Sequence, residues 1–115
     1  MTAEAIHYDQ LVMMSTPRSF LSCNPAGGYG APAVGDIVEF DGAGDIIQMA
    51  TEANSLGVLV REDESVDGNW VVAVADCVIN YDELDYDGTT EHTANEALLI
   101  RGIQVLDQPT TVTLP

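Results

Sequence analysis

Most side chains of this chain that could do chemistry are carboxylates. Glu83-Leu84-Asp85-Tyr86-Asp87-Gly88 sets acids at alternate positions ahead of a glycine, the spacing with which a calcium loop begins. Such a loop completes its cage with a bidentate glutamate at its twelfth position. Counted from Glu83, that position is Ala94, and Glu96 comes two residues late, so a solvated acidic turn is the simpler reading. His7 and His92 are the only histidines, and Cys23 and Cys77 the only cysteines. A zinc site takes about four ligands, or three when catalytic, and these four residues show no ligand spacing. The cysteines have no CxxC pairing and read as two buried thiols. Ser15, Ser19, Ser22, Ser55 and Ser65 lack the strand-turn-helix setting of a nucleophile elbow. Paired carboxylates carry little information in a chain this acidic. Trp70 opens an apolar run and is most simply core. These residues supply no catalytic set, no metal site and no cofactor site, and the chain reads as a non-enzyme.

Two weaker likenesses follow from short motifs. Asp85-Tyr86-Asp87-Gly88 resembles the aspartate-tyrosine motif of trimeric dUTPases, but those enzymes close a glycine-rich, arginine-bearing tail over the phosphates. Here the last residues are LDQPTTVTLP, with neither. Gly35-Asp36-Ile37-Val38 with the strand after it resembles half of a biotinyl or lipoyl carrier. That module attaches its cofactor to lysine, and this chain contains none, which also excludes a Schiff base.

The charge is the strongest compositional signal. Nineteen acids face Arg18, Arg61 and Arg101, for a formal charge of −16 in 115 residues. Small soluble domains usually carry roughly 2 to 8 charges of one sign, and a surface this acidic repels itself. Salt relieves the repulsion, because the Debye length falls from about 10 Å at 0.1 M to about 3 Å at 1 M. The acids are spread from Glu4 to Asp107 rather than run together, which favours a protein of molar salt over an acidic ligand for a basic surface. Nucleic-acid binding needs a Lys/Arg patch, which three arginines far apart in sequence do not provide. No apolar stretch approaches the ~20 residues of a membrane span. The opening MTAEAIHYDQ carries two acids and no base, unlike a secretory signal.

The elements that would position these residues are mainly strands, and 115 residues make one domain with a modest core. From Gly35 to Ala75 strand and turn signals recur about every 8 to 12 residues, as in a compact sandwich or small barrel. Ile37–Phe40 alternates, with Val38 and Phe40 expected on one face. Asp41-Gly42-Ala43-Gly44-Asp45 is a turn, and Ile46–Met49 resumes as a strand. Leu56–Val60 and Trp70–Val74 are buried apolar runs, joined by the acidic turn Asp63–Asn69. Cys77–Tyr81 is the next strand. Thr90–Arg101 is the one good helix, with Thr93 and Glu96 as a capping box unless Thr89 or Thr90 caps it. Ala94, Ala97, Leu98 and Arg101 share a face, and Gly102 is the stop. Ile103–Leu106 and Thr110–Leu114 close the chain as strands.

Residues 1–34 read differently from the β-rich residues 35–115. Pro17, Pro25, Pro32 and Gly27, Gly28, Gly30 exclude a helix and would spoil a central strand, although Ile6–Met14 could be a short one. Yet Tyr8, Leu11, Val12, Met13, Met14, Phe20 and Leu21 give the segment more apolar surface than a solvated linker. The natural description is an extended N-terminal arm with apolar anchors. It could pack on its own body, on a sister subunit or on another protein.

From Gly35 onward the order of elements resembles the head decoration proteins of tailed viruses, typified by that of phage lambda. The residues that carry it are GDIVEFDGAGDIIQ, SLGVLVRE, VINYDELDY, the helix TTEHTANEALLIRG and the closing IQVL, together about residues 33–107. Relatives tend to have an aromatic-proline pair where this chain has Asp85-Tyr86-Asp87, and the extension past Asp107 is less familiar. The resemblance implies a β-tulip or small barrel-like body with one short helix and no cofactor. It implies a homotrimer that sits outside an icosahedral shell at its local threefold positions, bound to the major capsid protein. The arm would add to shell strands, giving affinity through main-chain hydrogen bonds. Tyr8, Leu11, Val12, Met13, Phe20 and Leu21 are the expected capsid-binding residues. Together with the charge, this makes the expected protein a cement protein of a virus infecting a halophilic archaeon. A turret, spike or fibre-base protein is the alternative, with the loop 82–88 facing a receptor or ion, and a small dUTPase-like enzyme is the remote one.

Overall fold

The computed structural model of the chain describes residues 11–86 and 90–106. They form two sheets and one helix. Strands β1 (Val12–Met14), β2 (Phe20–Cys23), β3 (Ile37–Phe40), β4 (Ile46–Gln48), β5 (Gly57–Glu62), β6 (Trp70–Ala73) and β7 (Cys77–Asn80) come first. Helix α1 (Glu91–Ile100) and β8 (Ile103–Leu106) follow. The larger sheet has the order β2-β6-β5-β3-β4, all antiparallel, and the smaller β1-β7-β8. β7 and β8 run parallel, joined by α1 as the crossover such a pair requires. The expected mainly β fold with one short helix is therefore present, with one parallel pair in an otherwise antiparallel arrangement.

The larger sheet curls. Just past β2, Ile46 N–H donates to Asn24 O at 3.0 Å and Ala26 N–H donates to Ile46 O at 2.8 Å. Pro25 and Ile46 form an isolated parallel bridge. The chain leaving one edge of the sheet thus touches β4 at the other, but two bonds do not make a ladder. The small barrel foreseen is an open, curled sheet. Its concave face holds Cys23, Tyr29, Val38, Ile46, Leu56, Leu59 and Val72. The other face packs Ile37, Val58, Val60 and Ala73 against Val12, Cys77, Ile79 and Ile103 of the small sheet and Ala94 and Leu98 of α1. Both faces being covered explains why β3 buries Ile37 and Val38 together, and why the simple alternation expected there fails.

The division at residue 34 does not survive among the described residues. Phe20–Cys23 pairs along its full length with Ala73–Trp70, and Val12 pairs with Ile79. Residues 11–34 belong to the same body as the rest. The prolines fall between strands, so three or four residues are free to pair on either side of them. Ser19 locks this crossover in place. Fully buried, it donates through Oγ to Asp76 O at 2.9 Å, and its carbonyl accepts Val74 N–H at 2.7 Å.

The Gly/Pro segment between β2 and β3 closes the concave core by a single aromatic. Tyr29 is buried there and its hydroxyl donates to Asp36 Oδ2 at 2.7 Å. Ala33 N–H donates to the same oxygen at 3.1 Å. Beside them Gly35 has φ +94°, and a Cβ there would collide with Glu83 O. At the far end α1 runs Glu91–Ile100, so Thr90 is the cap residue and the foreseen Thr93–Glu96 box lies inside the helix. Gly102 at φ +84° ends it as foreseen, donating to Leu99 O at 2.9 Å. The strand foreseen at Thr110–Leu114 lies outside the described residues.

Tyr29→Phe keeps the packing and removes the strongest donor to a buried carboxylate. Leaving a buried charged acceptor short of a partner costs about 1–3 kcal/mol. The expected result is a lower urea midpoint with an unchanged m-value; an unaltered midpoint would show that the bond carries no weight.

Candidate functional site

The five described residues among those expected to bind a partner do not form one surface. Leu11 and Val12 are core, both under 5% exposed and packed with Ile79 and the helix. They cannot serve as external anchors, because the apolar spacing that suggested an arm is satisfied by the chain's own small sheet. Met13 is half-buried in β1, and Phe20 is half-buried against the core shared by the two sheets. Leu21 alone is well exposed, at 51%, on β2 at the edge of the larger sheet. Tyr8 lies outside the described residues.

Other apolar side chains stand exposed instead. Met14 ends β1 at the edge of the small sheet, and Phe40 ends β3. At the end of α1, Leu99 is 59% and Ile100 87% exposed. The helix signal contained this last pair. Ala94 and Leu98 are the buried positions, and residues one and two steps past Leu98 turn off that face. Ile100 and Arg101 border an open hollow of about 520 Å³ with Ala53, Val74, Ala75 and Ala97.

The chemically capable residues are held as structure. Cys23 and Cys77 are buried free thiols, as expected, one in each core. Burial pushes the Cys77 thiol up to about 11, with the neighbouring Asp76 charge adding to it. A thiol so shifted is protonated at neutral pH and a poor nucleophile. In the acidic loop Asn80 Oδ1 accepts Asp82 N–H at 3.1 Å, opening a 3-10 turn at Tyr81–Glu83. Asp85 N–H donates to Gly35 O at 3.0 Å and so joins the loop to the larger sheet. Tyr86 is buried and donates to Asn95 Oδ1 at 2.6 Å; burial leads in lifting its phenol to about 12. Tyr81 donates to Glu91 Oε1 at 2.6 Å, and its ring lies 5.7 Å from that of Tyr86. The loop therefore fastens α1 to the sheets. Among the described residues no group of three or more His, Cys, Asp or Glu could hold a metal ion; Asp87 and Gly88 of the foreseen calcium-like turn lie outside them. Nor is any described helix long and apolar enough to cross a membrane.

Glu39 went unnoticed in the sequence. It is 8% exposed on β3, opposite Ile47, and its Oε2 has no hydrogen-bond partner among the described residues. On a strand with one wet face it would have pointed to water; here both faces are covered. Comparison with protein-family models and with curated proteins finds no match to this chain.

Two outcomes are expected. Glu39→Leu removes the orphaned oxygen and one charge at similar volume. It should stabilise the fold by about 1 kcal/mol, a rise in melting temperature of ~4 °C; a lower melting temperature would mean the carboxylate has a stabilising role. The second concerns alkali. Cys77 and Tyr86 keep their protons longer folded than unfolded, so their contribution is complete below about pH 9 and is lost as pH rises through about 11 and about 12 respectively. Melting temperatures followed from neutral pH into this window should fall, and less steeply in Cys77→Val.

Proposed function

We propose that this chain is a decoration protein, a trimeric cement on the outer face of the icosahedral capsid of a tailed virus of a halophile. The single observation that carries the reading is the order of elements from residue 37 onward. A strand-turn-strand (β3, β4), a Gly-Val strand (β5), a strand running into Tyr81 (β7), α1 and the closing β8 occur at the residues on which the resemblance rests. The partner would be the major capsid protein. Among the described residues, contact with it falls to Leu21 on the edge strand β2 and to Met13 and Met14 on the edge strand β1, with Tyr8 kept as the sequence-based expectation. Edge strands suit this role because their unpaired main-chain groups accept an added strand. Each such hydrogen bond nets only ~0.5–1.5 kcal/mol. Three copies engaging at once raise the effective affinity by about 10²–10⁴, so a short contact suffices.

The expected setting is molar salt. With a charge of −16 per copy, a trimer at low ionic strength repels itself strongly. Screening and salting-out both act to hold it together as salt rises. The melting temperature should therefore climb between ~0.1 M and ~3 M NaCl. A flat profile would remove the halophile from the proposal.

Attachment is tested by co-sedimentation with undecorated shells in ~3 M salt. Deleting residues 1–34 would remove β1 and β2 and unfold the body, so the useful variants are a chain lacking residues 1–10 and Leu21→Asp. The wild-type chain should saturate near one copy per capsid subunit. Each variant should bind at least about tenfold more weakly, the equivalent of ~1.4 kcal/mol. Saturation at a few copies per particle would favour the spike reading, and no pelleting at all would overturn both.

A further inference from the structure

We propose that copies of this chain associate head to tail. The tip of the β5–β6 hairpin of one copy would seat in the hollow at the C-terminal end of α1 of the next. The inference deepens the trimeric part of the proposed function but does not depend on the shell. The hollow is one half of the contact. Its lining is mostly apolar (Ala53, Val74, Ala75, Ala97 and Ile100) with Ser55 among it, and it includes Arg101, one of only three Lys/Arg residues in the chain. Among the described residues Ile100 is the most exposed of the large apolar side chains. An apolar wall with one positive group asks for an apolar knob flanked by acids.

The tip of the β5–β6 hairpin presents such a knob. Between β5 and β6 the turn runs Asp63-Glu64-Ser65-Val66-Asp67-Gly68-Asn69, with Val66 45% exposed between Glu64 and Asp67. The turn is pre-formed. Asp63 Oδ1 accepts Ser65 N–H at 2.9 Å, and Asn69 N–H donates to Val66 O at 3.0 Å. Asp63 N–H donates to Asn69 O at 2.9 Å, and Asn69 Nδ2 donates to Ser22 Oγ at 3.0 Å. Little ordering entropy then opposes docking.

The two halves sit at opposite ends of β6. Asn69 precedes its first residue, and Val74 and Ala75 follow its last. One copy cannot satisfy its own hollow with its own hairpin across that strand, but a neighbour can. A contact between two different patches is heterologous, and it makes a ring when the rotation closes. Charge points to a second copy as the occupant. Every copy presents the acids that Arg101 needs. In molar salt, where the Debye length is about 3 Å, only such direct contacts survive screening, while the apolar contact strengthens in salting-out electrolytes.

The test needs no capsid. Sedimentation velocity of the full chain in ~3 M NaCl should show a closed oligomer for the wild type. Ile100→Glu and Val66→Glu should each weaken association at least about tenfold. Both positions are exposed, so far-UV circular dichroism should stay unchanged. Arg101→Glu should weaken it too, and Glu64→Arg with Asp67→Arg in the same chain should restore it. A short bismaleimide should then link copies of the double variant Val66→Cys, Ile100→Cys into dimers and larger rings. It should leave either single cysteine variant unlinked, since Cys23 and Cys77 are buried. A monomeric wild type, an oligomer indifferent to Ile100→Glu or Val66→Glu, or equal linking by one cysteine alone would each overturn the inference. Shell binding that persists in a monomeric wild type would leave attachment standing while this contact falls.

Discussion

The fold hangs on one buried carboxylate. Asp36 stands at the entrance to β3, where the Gly/Pro segment, β5 and the acidic loop meet. Its side chain accepts Tyr29 and Ala33, its amide donates to Ala33 O, and its carbonyl accepts Leu59 N–H. Its backbone also forms the one bridge to Asp85. A charged group so deeply placed is tolerable only if hydrogen bonds replace the water it has lost. That condition dictates its surroundings: a tyrosine within reach, a loop tight enough to present an amide, and a glycine at 35 so that Glu83 O can approach. Tyr29 answers in kind, its phenol pushed far above the ordinary tyrosine range by burial and by the Asp36 bond.

From that junction the two cores follow. The curled larger sheet needs a lid on its concave face, and Tyr29 supplies one from a segment too rich in glycine and proline to form a strand of its own. Its other face needs a second layer, which the small sheet and α1 provide. Covering both faces is what forces Glu39 inside, while Phe40, the last residue of β3, stays exposed. The acidic loop is drawn into the same scheme. Its tyrosines fasten α1, so a stretch that resembles an ion site in sequence acts as a strap between layers.

The large apolar side chains left exposed among the described residues are informative. They include Met14 and Leu21 on edge strands, Val66 at a hairpin tip and Leu99 and Ile100 at the end of the helix, where a further strand or a neighbouring copy could cover them. That distribution is what the proposed decoration role and the head-to-tail contact both draw on.

Strand positions from Ile37 to Asn80, the helix with its glycine stop, the buried thiols and the acidic surface were legible in the residues themselves. Each rests on local chemistry: apolar runs between turn residues, a 3.6-residue spacing, charge count. Pairing was not legible, because a three-residue strand such as Val12–Met14 acquires meaning only from its partner. The same apolar spacing that reads as an arm with anchors reads as core once Ile79 lies opposite Val12. For that reason Leu11 and Val12 left the candidate surface, and Leu21 stayed on it at a sheet edge. The exposure of Ile100 follows from its helical spacing past Leu98, whereas tertiary structure alone decided that Glu39 is buried, since its burial depends on what the other sheet and helix cover, and no local pattern records that.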